Sequence, residues 1–160
     1  PAFVMNHILG GGSFSSWLYE EVREKRGLAY SVGSYLLDYA HSGMLVAATA
    51  TRADRAEETL AIIDAQMQRM AGEGPSAEEL AKAKAYLTGS YALRFDTSDK
   101  IAGQLLGLQV QGLDKDYVEK RNGLIEAVTL EDIARVRKRL LENVKPIIVT
   151  VGPQAPALAQ

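Results

Sequence analysis

Three consecutive glycines, Gly10, Gly11 and Gly12, interrupt an apolar helical stretch and limit what the flanking residues can build. Each glycine costs roughly 1 kcal/mol in a helix interior, so a helix running from about Pro1 to Leu9 must stop or deform there. Ser13, Ser15 and Ser16 are candidate N-caps, and a second helix is expected from about Ser16 to Arg26. Its Glu21 and Lys25 form a favourable i,i+4 pair, and Gly27 stands where a C-cap glycine belongs. From Leu28 the period changes to two, with Tyr30, Val32, Ser34 and Leu36 alternating with Ser31, Gly33, Tyr35 and Leu37. The segment "LGGGSFSSWLYEEVREKRGLAYSVGSY", residues 9–35, therefore holds a glycine segment, a charged helix and a Tyr-rich strand in close succession.

The first strand leads through the turn signal "HSG" to a second, Met44 to Thr51, which reads as an antiparallel hairpin. Helical spacing then returns. Leu60, Ile63, Met67 and Met70 share a face, and Asp54 with Glu57 fits a capping box. After the break "GEGPS", Ser76 with Glu79 starts a helix carrying Leu80, Ala83, Leu87 and Tyr91. Further helices are expected near Asp99 to Gln111, near Asp116 to Gly123, and from Thr129 with Ile133, Val136 and Leu140. "KPIIVTVGP" reads as a closing buried strand ended by Gly152 and Pro153, and residues 154–160 as a loose tail. The order predicts an α+β fold, with helices packed on one face of a mainly antiparallel sheet. Pro1 with Phe3, Val4, His7 and Ile8 reads as a helix already under way. With so thin a sheet, we expect 1–153 to be a domain truncated at its N-terminal side.

A chain of 160 residues suits one domain. Its formal charge of −2 gives no clustered positive excess for nucleic acid or a membrane surface. There are no cysteines, which rules out disulfides and thiolate sites and leaves the compartment open. No apolar run approaches the ~20 residues of a membrane span, so no membrane insertion is expected.

Candidate sites are few. The glycine triplet lacks a preceding strand, the GxGxxG spacing and a following GK[ST]; it reads either as a plain helix break or as a loop that a ligand approaches closely. His7 and His41 stand 34 positions apart with no HExxH or HxxEH, so no metal is expected in this chain. Trp17, Tyr19, Tyr35 and Tyr39 offer an aromatic surface, with packing the main role expected for most of them. Arg23 differs from its charged neighbours. It lies one turn before Gly27, and Tyr30 lies three residues beyond that glycine. A helix that stops and a strand that starts bring both side chains to one edge, where a forked cation and a neutral O–H donor could hold an extended peptide and an oxyanion.

The residues Leu9 to Gly12, Ser15 and Ser16, Arg23 and Glu24, then Gly27, Leu28 and Tyr30 resemble the signature of the C-terminal half of the pitrilysin-type zinc peptidases, the inverzincins. That family includes insulin-degrading enzyme, the mitochondrial processing peptidase and small bacterial zinc proteases. The resemblance implies a substrate-binding domain that assists the transition state of a zinc metalloendopeptidase. Its zinc would be bound by an N-terminal domain or subunit carrying HxxEH, absent from this chain, and this fragment alone would be inactive. By the same resemblance Arg23 would hold a substrate carbonyl, Tyr30 would be the catalytic hydrogen-bond donor, and Gly10, Gly11 and Gly12 would belong to the substrate-handling segment. The family often has Arg after the paired serines, where this chain has Trp17. A non-catalytic partner subunit or a structural scaffold homologue is the alternative.

Overall fold

The computed structural model describes residues 1–153; the expected tail, 154–160, lies outside the described residues. Helix α1 (Ala2–Asn6) runs without a break into a π-helical turn, His7–Gly11. Gly10 and Gly11 thus deform the helix and extend it past Leu9, because an i→i+5 turn absorbs the backbone that an α-helix would reject. A 3₁₀ turn, Ser13–Ser15, then leads into a second helix whose body, Tyr19–Glu24, is again π-helical. Gly27 ends it with φ +59°. The Gly27 N–H donates to the Arg23 carbonyl and the Leu28 N–H to the Val22 carbonyl, both at 2.9 Å, which satisfies two terminal acceptors in the way a C-cap glycine should.

Strands β1 (Val32–Asp38) and β2 (Gly43–Thr49) form an antiparallel hairpin with Val32 opposite Thr49 and Asp38 opposite Gly43. The strand begins later than the alternation suggested. Leu28 and Ala29 are buried below it, and the Thr51 hydroxyl donates to the Leu28 carbonyl at 2.6 Å. A lone hairpin is marginal in water; this one rests on α1 and its π turn.

Five helices follow: α2 (Ala56–Gly72), α3 (Ala77–Gly89), α4 (Ser98–Val110), α5 (Tyr117–Glu126) and α6 (Leu130–Leu140). The Ser76–Glu79 capping box is present, and Thr129 forms another with Asp132. The Asp54–Glu57 box does not form. Asp54 instead takes the Arg52 guanidinium at 3.0 and 2.6 Å, and α2 starts without a side-chain cap. Val4, Met5 and Leu9 sit at the centre of the core with Leu18, Val22, Met70, Leu87 and Ile133. The α+β class stands, and among the described residues the sheet has two strands where three were expected.

The missing strand is "KPIIVTVGP". Residues 145–150 are in no strand, and Ile147 is 92% and Val151 97% exposed. A continuous apolar run becomes a buried strand only where both faces are covered, and no described element covers this one. Helix α4 contributes no buried residue to the core either.

Candidate functional site

Arg23 and Tyr30 come together. The Arg23 Cζ lies 4.4 Å from the centre of the Tyr30 ring, inside the range of a cation–π contact. Tyr30 is 82% exposed, so its hydroxyl faces solvent, while the Arg23 side chain is 29% exposed. The turn at Gly27 produces this: it ends the helix one turn after Arg23 and returns the chain past it. Two further aromatic rings close on the same guanidinium. The Tyr19 ring centre lies 4.7 Å from the Arg23 Cζ and the Phe14 ring centre 5.9 Å away. The Tyr19 hydroxyl also accepts a hydrogen bond from Arg23 Nη1. Glu24 lies 3.8 Å from Arg23 Nε, too far for a hydrogen bond.

The remaining charges of the helix are paired among themselves. Lys25 Nζ meets Glu21 at 2.6 Å and Glu20 at 3.0 Å, and Arg26 meets Glu21 at 2.5 Å. Hydrogen bonds from Lys25 and then Arg26 hold the Glu21 carboxyl below its ordinary value.

Behind this surface, the glycines let a helix touch a strand. A Cβ on Gly10 would stand 2.5 Å from the Ser34 backbone nitrogen and 2.7 Å from Leu18 Cδ1. Asn6 and Ser34 use that closeness. Asn6 Nδ2 donates to the Ser34 carbonyl at 3.1 Å, and the Ser34 hydroxyl donates to Asn6 Oδ1 at 2.8 Å. Both side chains are buried and satisfied, and they fix the register of α1 on β1. A Cβ on Gly12 would meet the His7 carbonyl at 2.6 Å, and one on Gly11, the exposed member of the triplet, would meet Asn6 Nδ2 at 2.6 Å.

His7 stacks on Tyr86 with ring centres 5.3 Å apart and is buried. Burial lowers its pKa from the ordinary 6.5. The folded state thus favours the neutral ring, so this contribution to stability is complete above 6.5 and is lost as pH falls toward the lower folded value. We expect the melting temperature to drop between about pH 7 and 5, and the drop to be smaller in His7→Gln. Parallel pH profiles for the two proteins would assign the acid sensitivity elsewhere.

The aromatic residues divide. Trp17 and Tyr19 are buried, while Tyr35 and Tyr39 are exposed at 53% and 57%. Trp17 donates from Nε1 to Glu79 at 2.7 Å, and the Arg69 guanidinium lies 3.7 Å over its ring. Glu79 also closes the capping box of α3, so Trp17 joins the second helix to α2 and α3. Among the described residues, no three His, Cys, Asp or Glu side chains could hold a metal ion. The donors of the described residues thus form no cluster suited to zinc.

Residues 1–87 match the Peptidase M16 inactive domain family. The chain belongs to that family. As an M16 inactive domain it is 31% identical over 94% of its length to an uncharacterized zinc protease of Streptomyces coelicolor, covering 32% of that protein. It is 34% identical over 82% of its length to an uncharacterized zinc protease of Bacillus subtilis, covering 35% of it. A crystal structure of a peptidase M16 inactive domain from Pseudomonas fluorescens is similar at 33% identity and a TM-score of 0.75, across 86% of this chain and 32% of that one. This M16 domain thus spans about a third of the length of the relatives it matches.

Two features of this site escaped the sequence reading. The π-helical form of Tyr19–Glu24 leaves no clear trace in composition. Tyr19 and Arg23 stand i,i+4 on this helix, a spacing that signals contact but not that the hydroxyl engages the guanidinium.

Proposed function

We propose that this domain holds an extended peptide for a zinc-dependent endopeptidase, with Arg23 binding a backbone carbonyl and Tyr30 donating to the oxygen that becomes anionic during hydrolysis. The observation that carries the reading is the pairing of a half-buried guanidinium with a solvent-facing phenol, 4.4 Å from cation to ring centre. Arg23 has five N–H donors, and Tyr19 engages one of its nitrogens. The others suit a carbonyl, and the permanent charge strengthens as water is excluded by the peptide. Tyr30 supplies a neutral donor, which polarises the carbonyl before attack and holds the developing charge afterwards.

The names of the relatives, zinc proteases of bacteria, support this reading. Zinc and a general base would supply metal-assisted hydrolysis and would come from an N-terminal domain or subunit of the same family. The isolated domain is then inactive.

The test is hydrolysis of an extended fluorogenic peptide by the full-length protein. Arg23→Ala should raise KM roughly ten-fold with a smaller change in kcat, since a lost carbonyl contact weakens ground-state and transition-state binding together. Unaltered KM and kcat would dismiss the peptide-holding role. Peptide binding without hydrolysis in the full-length protein would identify a non-catalytic partner subunit, and absence of both would identify a scaffold.

A further inference from the structure

We infer that Tyr19 is a positioning residue that sets the guanidinium of Arg23 in the peptide-holding geometry; this rests on the function proposed above. Three observations converge on it. Tyr19 is 6% exposed, so neighbouring groups enclose its ring on nearly every side and restrict its movement. Its hydroxyl accepts from Arg23 Nη1, and its ring centre lies 4.7 Å from the Arg23 Cζ. Phe14 packs edge-on against Tyr19 with ring centres 4.9 Å apart, which restrains the ring from the outer side.

Arg carries substantial rotamer entropy, and a surface Arg must lose much of it on holding a carbonyl. Here the loss is already incurred. The guanidinium lies against both Tyr19 and Tyr30, at 4.7 and 4.4 Å, and one nitrogen is tied to a buried hydroxyl. Two rings without the hydroxyl would still attract the cation but would leave it free to slide and rotate, because cation–π attraction is weakly directional compared with a hydrogen bond. The π-helical turn over Tyr19–Glu24 is the local structure that seats both residues, and such turns recur at functional sites.

The experiment compares Tyr19→Phe, Arg23→Ala and the double variant in the full-length protein. Tyr19→Phe keeps the ring and the packing. It should keep the fold with at most a small drop in melting temperature, and raise KM for an extended peptide about five-fold, with kcat within about two-fold, because a hydrogen bond to a charged group is lost. The double variant should be no worse than Arg23→Ala, since a residue acting only through another adds nothing once that partner is gone. A second readout is independent of turnover. In ¹⁵N NMR spectra the Arg23 Nη signals should show slowed rotation of the guanidinium, and Tyr19→Phe should abolish it. If Tyr19→Phe leaves both KM and the Arg23 signals unchanged while Arg23→Ala weakens binding, the positioning role is overturned and the peptide-holding role survives. Additive effects in the double variant overturn it as well. If Arg23→Ala has no effect on KM, the peptide-holding role itself fails, and the inference with it.

Discussion

Tyr30→Phe in the full-length protein should lower kcat roughly 10²–10³-fold, the usual cost of one oxyanion donor. The change removes one oxygen from a side chain that is 82% exposed, so folding and the ring contact with Arg23 should be preserved. In the role proposed for it KM should change little, because the phenol would matter most when the substrate oxygen carries charge and less while it is a neutral carbonyl. This pattern is the reverse of that expected for Arg23→Ala. Measuring kcat and KM for both variants on one peptide therefore separates the two roles. A Tyr30→Phe enzyme with wild-type kcat would remove the phenol from the chemistry and leave this surface with binding alone.

The largest loss of stability is expected from Gly10→Ala. A methyl group there would stand 2.5 Å from the Ser34 backbone nitrogen, 2.6 Å from its hydroxyl oxygen and 2.7 Å from Leu18 Cδ1. A flexible side-chain tip could yield, but the backbone of β1 cannot do so without parting from α1. That movement would also break the buried Asn6–Ser34 hydrogen bonds. Together the clash and the broken bonds should cost about 3 kcal/mol or more. Denaturant unfolding measures it, with Gly103→Ala as the control. Nothing lies within 4 Å of a Cβ at Gly103, in α4, and alanine there should stabilise by about 0.5–1 kcal/mol. A Gly10→Ala protein as stable as the wild type would mean that helix and strand tolerate separation, and that the triplet is kept for another reason.

Local signals carried most of what the sequence revealed. The strain of three glycines was readable, and the helix does deform there, although the response is a π turn that continues through Gly11. Gly27, the Ser76 box and the helix beginning at Thr129 were readable because their partners lie within four residues. The seven-residue step from Arg23 to Tyr30 across a helix stop was enough to predict their neighbourhood. The unread features are of two kinds. Some are local competitions with nearly equal contenders, as where Arg52 takes the Asp54 carboxylate that would have capped α2. Others join distant parts of the chain, such as the 62-residue separation between Trp17 and Glu79 or the 28-residue separation between Asn6 and Ser34. No periodicity reports such pairs. The C-terminal apolar run failed for a related reason: sequence shows that a segment wants burial, and only the surrounding elements decide whether burial is available.

That run has a practical consequence. Ile147, Ile148, Val149 and Val151 are β-branched, uncharged and exposed, and among the described residues they join neither β1 nor β2. Such a strip can stack with its copies in neighbouring molecules, as zipper-forming segments do in fibrils. Anyone preparing this domain by itself should expect turbid, concentration-dependent clumping, and should charge or shield residues 147–151 before interpreting any assembly it forms.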